Sequence, residues 1–200
     1  MITILGITGS RRWPSHTHTL MEVALGAARE SGARVELLDL RAVDLPFYDP
    51  RSTQMPPVVT ELRERIADAH AYIIGTPEYH GSLSGTLKNF FDYLFPEVSG
   101  KLFGFIVATG NDIGSSALSH LREIVTYLHA WSLPYGAYAM LPDFDESGHL
   151  INPRVRDRLY RLGRDVAIYG ELLYDRFQQD RISDGGPQYG FAPWHAEEEG

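Results

Sequence analysis

The sequence predicts an α/β fold, a five-stranded parallel sheet covered by helices on both faces. Short apolar runs alternate five times with helical stretches along the 200 residues. The runs at 71–75 (AYIIG) and 102–108 (LFGFIVA) are apolar throughout, as in strands buried on both faces. Polar, glycine-bearing loops follow the first, third and fourth runs. Right-handed crossovers leave few arrangements for such a chain, and doubly wound sheets bind ligands beyond the carboxyl ends of their strands. The three loops are therefore expected on one rim, facing one crevice.

The first strand carries Ile2, Ile4, Leu5 and Ile7, and polar chemistry begins at Thr8. Gly9 permits a sharp turn, Ser10, Ser15 and Thr17 offer hydroxyls, and Arg11 and Arg12 offer fixed positive charge. Pro14 and Ser15 open a helix over about 16–31, with Leu20, Met21, Val23, Ala24, Leu25 and Ala28 on its buried side. An anion at that junction would meet unpaired amides and the positive end of the helix dipole. Neither common phosphate loop is present: the segment has Gly6 and Gly9 only, with no Gly-Lys-Ser/Thr and no third glycine. A hydroxyl-rich cradle suits a terminal phosphate monoester, as on a mononucleotide such as FMN. The alternative is an ordinary strand-to-helix loop in which Ser15 or Thr17 caps the helix and the arginines are solvated.

Ser31-Gly32 stops the helix, and 34–40 reads as the second strand, with Val35, Leu37 and Leu38 buried. The loop over 41–57 is long for a connection and is expected to pack on itself or over a ligand. An amphipathic helix at 58–69 leads into the third strand, followed by the second special loop, Thr76-Pro77-Glu78-Tyr79-His80-Gly81-Ser82. A helix over 83–94 and the fourth strand precede the third loop, Thr109-Gly110-Asn111-Asp112-Ile113-Gly114-Ser115. A helix over 116–129, a fifth strand at 136–140 and a long helix from Pro153 to about 178 complete the domain, taken as 1–180. Residues 181–200 are rich in Gly and Pro, and read as a flexible tail or one packed on a partner subunit.

Composition narrows the function. The net charge of -8 disfavours a nucleic-acid partner, because there is no basic excess to offset backbone phosphates. The absence of cysteine removes disulfides, thiolate metal sites and cysteine nucleophiles. No apolar stretch approaches the ~20 residues of a membrane span, and no signal segment opens the chain, so a cytoplasmic protein is expected.

With these loops placed, residues 1–175 resemble the NADPH-dependent FMN reductase family of flavodoxin-like proteins, which includes quinone, azo-dye and chromate reductases. The family's first loop, Gly-Ser-x-Arg-x-x-Ser-x-Asn-x-x-Leu, is matched by Gly9, Ser10, Arg12, Ser15 and Leu20, with Thr17 in place of asparagine. Its Thr-Pro-Glu-Tyr-Asn-Gly-Ser loop, followed by Leu-Lys-Asn and an Asp, is matched by Thr76 to Tyr79, Gly81, Ser82, Leu87, Lys88, Asn89 and Asp92. His80 replaces the asparagine there. The resemblance implies a flavodoxin-like three-layer sandwich with strand order 2-1-3-4-5. It implies that Ser10, Arg12, Ser15 and Thr17 hold the FMN phosphate, with His16 also among the cofactor-binding residues. Pro77, Glu78, Tyr79, His80, Gly81, Thr109, Gly110 and Asn111 would line the ring, with NADPH or NADH as donor and a small molecule such as free flavin or a quinone as acceptor. A homodimer or homotetramer is implied as well.

Flavin chemistry needs little from side chains, so no indispensable proton-transfer residue is expected; His80 is a tuning candidate. Glu78 is expected to shape its loop, and Lys88 and Asp92 to form a surface pair. Without cysteines or a carboxylate at ligand spacing, His16-x-His18 reads as helix-start histidines and not as a metal site. Asp39, lacking a glycine fingerprint nearby, reads as a turn or cap residue and not a ribose ligand. Arg11 is a candidate for the extra phosphate of NADPH, the alternative being a solvated arginine. The aromatic helix end at Phe90, Phe91, Tyr93, Leu94 and Phe95 is expected to spill partly onto a subunit interface. A non-enzymatic flavodoxin-like electron-transfer or interaction protein is the alternative function; a hydrolase is disfavoured because no Gly-x-Ser-x-Gly elbow occurs.

Overall fold

The computed structural model describes residues 1–110 and 116–182. Strands β1 (Thr3–Thr8), β2 (Arg34–Asp39), β3 (Ala71–Pro77) and β4 (Leu102–Ala108) pair in parallel in the order β2-β1-β3-β4. Two short strands share the fifth position. β5 (Trp131–Ser132) pairs with Leu102 and Phe103, and β6 (Ala137–Ala139) pairs with Ile106, Val107 and Ala108. The order is the expected 2-1-3-4-5 arrangement, but the fifth strand begins earlier than 136 and is interrupted. The ladder holds as far as the Leu133 N–H, which donates to the Phe103 carbonyl (2.9 Å). Pro134 then has no N–H to offer, and its carbonyl turns away to accept from Arg122 (3.0 Å).

Helices α1 (His16–Glu30) and α5 (Pro153–Ile182) cover one face of the sheet, and α2 (Pro57–Asp68), α3 (Gly85–Phe91) and α4 (Ser116–Tyr127) the other. Neighbouring residues of a strand point to opposite faces. Ile4, Ile73 and Ile106 accordingly pack with Leu20, Met21, Leu162 and Val166, whereas Leu5, Ile74 and Phe105 pack with Ile66, Leu87 and Leu121. Each central strand therefore feeds two cores, which is why its sequence is apolar without alternation.

The α1–α5 contact leaves no room for a side chain at Gly163, where a Cβ would lie 2.0 Å from the Ala24 carbonyl oxygen. On the opposite face Lys101 is 4% exposed, and its ammonium donates to the carbonyls of Ala67 (2.7 Å) and Ile66 (3.4 Å). Those carbonyls close α2, where the dipole favours a cation; the Ile66 carbonyl also accepts the Ala69 N–H (3.2 Å) and the Tyr72 hydroxyl (2.6 Å).

Two expectations need correction. The aromatic run is absorbed by the core: Phe90, Phe91, Tyr93 and Leu94 are all buried, and of the five only Phe95 is exposed. Helix α5 extends to Ile182, beyond the expected 178. Of the expected tail, 183–200 lies outside the described residues, as does the segment 111–115.

Candidate functional site

The loop after β1 is fixed from three directions. The Gly9 N–H donates to the Gly75 carbonyl (2.8 Å), carrying the β1–β3 ladder one residue past the strand. Ser84, buried at the start of α3, accepts the Leu87 N–H at 3.2 Å and donates its hydroxyl to the Gly9 carbonyl at 2.7 Å. Ser15 caps α1 by accepting the His18 N–H (3.3 Å), and Ser10 accepts the Arg12 N–H (3.3 Å). Each of these two hydroxyls takes up one amide and retains its own proton to donate. Ser10, Ser15 and Thr17 are buried, whereas Arg12 is exposed and has no ion-pair or hydrogen-bond partner for its guanidinium among the described residues. His16, in the first turn of α1, stacks on Phe144 at 4.0 Å between ring centroids. Burial, and then the charge of Arg12, lowers the pKa of His16 below the ordinary 6.5.

The loop after β3 closes on itself. The Tyr79 N–H donates to the Ser82 carbonyl (2.9 Å) and the Ser82 N–H to the Tyr79 carbonyl (3.1 Å). Between them His80 and Gly81 have φ of 52° and 73°, the two positive values of a type I′ turn. The positive φ explains why histidine can stand where the family pattern has asparagine: both are among the residues that tolerate the left-handed region. Glu78 anchors the base of the turn through its N–H to the Ala108 carbonyl (2.9 Å), and its carboxylate accepts the Ala117 N–H of α4 (3.2 Å). A negative charge is favourable at that helix start, so Glu78 is the loop-shaping residue expected. The loop after β4 is tied to the end of β6, with the Thr109 N–H on the Ala139 carbonyl (2.9 Å) and the Leu141 N–H on the Gly110 carbonyl (3.0 Å).

The three loops meet at one cleft of about 290 Å³ beyond the carboxyl ends of β1, β3 and β4. Ser10, Arg12, Ser15, His16 and Thr17 line one end of it; Pro77, Glu78, Tyr79, Ala108, Thr109, Gly110 and Leu141 line the rest. His80 and Gly81, expected on the same surface, sit instead at the exposed tip of the turn and do not line the cleft. Asn111 lies outside the described residues. The family model for NADPH-dependent FMN reductase matches residues 2–144, a span holding every residue of this cleft.

The chain belongs to that family.

Relatives within it include an NAD(P)H-dependent FAD/FMN reductase of Geobacillus thermodenitrificans, 32% identical over 82% of this chain and 90% of that protein. An NADPH:quinone oxidoreductase of Arabidopsis thaliana is 29% identical over 80% of this chain and 87% of that protein. Among solved structures, an NADH:FMN oxidoreductase in its apo form aligns with a TM-score of 0.71 at 21% identity, over 84% of this chain and 90% of that one. A flavodoxin from the domain Archaea aligns at 0.63 with 14% identity, over 85% and 99%. At such identities the structural likenesses show the flavodoxin-like fold.

Two residues of this family member's cleft were not foreseen, Ala108 and Leu141. Ala108 ends an apolar strand and has no chemical signature. Leu141 follows β6 and reaches the cleft only because β6 pairs beside β4. The histidines at 16 and 18 diverge, His16 toward Phe144 and His18 toward Glu22 (Nε2 to Oε1, 3.5 Å) and the edge of Trp13. Asp39 accepts the Arg41 N–H (2.9 Å) and pairs with its guanidinium (3.2 Å), the cap role expected of it. Among the described residues no helix is long and apolar enough to cross a membrane.

Proposed function

We propose that the chain is an FMN-dependent NAD(P)H oxidoreductase that reduces free flavin or a small acceptor such as a quinone. The observation that carries this reading is the donor set at one end of the cleft. The hydroxyls of Ser10, Ser15 and Thr17, the first-turn amides of α1 and the Arg12 guanidinium lie together at a fifteen-residue helix start. That set fits a phosphate monoester, since it offers several donors and positive charge, and Glu78, the one carboxylate on the described lining of the cleft, is engaged by the Ala117 N–H. Arg12 and the two serines would hold the phosphate. Pro77, Tyr79, Thr109 and Gly110 would flank the ring, and Glu78 would keep the two ring-side loops in register through α4. A bound FMN would supply the redox chemistry, hydride acceptance from a nicotinamide donor and electron delivery to an acceptor. The protein's part is to anchor the phosphate, keep one ring face accessible and present amides whose positions are fixed beforehand.

The names of the relatives, flavin reductases and quinone oxidoreductases among them, support the acceptor class. A homodimer or homotetramer is part of the proposal. Support comes from the apolar residues exposed along α5, where Tyr169 is 50% and Leu172 62% exposed. The proposed compartment is the cytoplasm, in keeping with a chain that has no cysteine.

The test is the visible spectrum of the purified protein after incubation with FMN, followed by anaerobic addition of NADPH and of NADH. Flavin retained on the protein and bleached by at least one donor is the expected result; protein that takes up no FMN and oxidises neither donor overturns the reading. Replacing Ser10 and Arg12 together by alanine removes two contacts to a charged group, each worth about 1.5–3 kcal/mol. The FMN dissociation constant should then rise about a hundredfold or more with the fold intact.

A further inference from the structure

A second cleft, of about 500 Å³, lies on the other side of the first loop. It shares Tyr79 with the first cleft and is otherwise walled by Val43, Leu45 and Phe47 from the β2–α2 connection and by the start of α3. Resting on the reductase reading above, we infer that this cleft is the subsite of a second ligand, a planar aromatic ring that carries a negative charge.

Three features select that chemistry. Phe47 is 90% exposed, yet the backbone on either side of it is pinned: Asn89 accepts the Tyr48 N–H (2.9 Å) and donates to the Pro46 carbonyl (2.7 Å), to which the Tyr93 hydroxyl also donates (3.2 Å). A phenyl ring held in water by three hydrogen bonds on its flanks gains from any apolar surface laid against it. With Tyr79, Val43 and Leu45 on the other walls, the complementary shape is flat and apolar. The second feature is charge. Among the described residues, Arg11 is the one ionisable cation on the lining, it has no ion-pair or hydrogen-bond partner, and no carboxylate lines the cleft. In a chain of net charge -8 this is a local site for an anion, and a guanidinium matches sulfonate, carboxylate or phosphate through paired donors. The third is position. The shared Tyr79 makes the two clefts neighbours, so a ring seated in the second lies beside whatever occupies the first.

An aromatic anion can reach this place from two sources. One is the donor, whose adenine bears a 2′-phosphate in NADPH and none in NADH. The other is an acceptor bearing an acidic substituent. Calorimetric titration of the full, FMN-loaded chain separates them, with adenosine 2′-monophosphate and anthraquinone-2-sulfonate as charged probes and adenosine and menadione as uncharged ones.

We expect at least one charged probe to bind. Arg11→Gln should weaken it tenfold or more and leave its uncharged counterpart within twofold, and Phe47→Ala should weaken both members of that pair. The pair that responds identifies the source, and neither substitution should change the FMN dissociation constant. Binding of neither charged probe to protein that retains FMN, or equal binding by wild type and both variants, overturns the subsite and leaves the reductase reading standing. Protein that retains no FMN defeats the reductase reading, and the subsite with it.

Discussion

Ser84 is the residue through which the fold and the site can be separated experimentally. Its hydroxyl does two things at once: it accepts the Leu87 N–H in the first turn of α3 and donates to the Gly9 carbonyl in the loop after β1. Ser84→Ala removes a helix cap, worth about 1 kcal/mol. It also leaves the Gly9 carbonyl without that donor beside a residue only 4% exposed, which costs about 1–3 kcal/mol. The expected loss is about 2–4 kcal/mol, which at a urea slope of about 3 kcal/mol/M moves the unfolding midpoint down by roughly 1 M. Ser84→Gly divides the two terms, because glycine at a helix N-cap gives up only about a few tenths of a kcal/mol of capping but has no hydroxyl to donate to a carbonyl. It should recover the cap and not the loop bond. Urea unfolding followed by circular dichroism gives the stabilities, and flavin fluorescence gives the FMN dissociation constant. The loop that Ser84 holds carries Ser10 and Arg12, so the alanine variant should also bind FMN more weakly although Ser84 does not line that cleft. A midpoint within about 0.2 M of wild type, with unchanged flavin affinity, would refute the coupling.

Other consequences can be measured on the same protein. Gly163→Ala drives a methyl into the Ala24 carbonyl across the α1–α5 contact, and the strain of about 1–3 kcal/mol or more outweighs a helix-propensity gain of about 1 kcal/mol. Its thermal midpoint should fall by several degrees; an equal or higher one would mean that the helices part freely. Lys101→Met strips the Ala67 and Ile66 carbonyls of a buried cationic donor and should cost about 2 kcal/mol in urea, an unchanged midpoint counting against the cap. Stability should also depend on pH. Burial, and then a nearby cation (Arg12 for His16, Lys101 for His70), lowers the pKa of both histidines below 6.5 in the folded chain. As pH falls through 6.5 the unfolded chain takes up these protons first, so stability declines below that pH and is fully regained above it. Urea midpoints across that range should show the decline, and His16→Asn with His70→Asn should flatten it; a slope identical to wild type would exclude the two rings as its source.

The sequence was a good guide wherever one residue's chemistry depends only on its neighbours along the chain. Unbroken apolar runs marked β3 and β4, because a strand buried on both faces has no polar side to show. Ser15 announced the start of α1, and Asp39 a cap, because both bonds close within three residues. The split fifth strand was not legible. Trp131 and Ser132 have no periodicity of their own and become a strand only by pairing with Leu102 and Phe103. The aromatic cluster after Lys88 misled for a related reason: how much apolar surface a core absorbs depends on the helices and strands around it, not on the run itself.

By itself, then, the sequence determined the order of the elements, the direction of winding and the residue types in each strand-end loop, since local patterning and right-handed crossovers leave little freedom there. Only the tertiary structure decided which of those residues face the same space. The positive φ at 80 and 81 carries His80 out of the cleft; pairing of β6 beside β4 brings Leu141 in; and Ser84 and Asn89, seventy-five and forty-three residues from the backbone they hold, set the positions of two loops. Such contacts join segments far apart in sequence, and their geometry exists only once the sheet between them has formed.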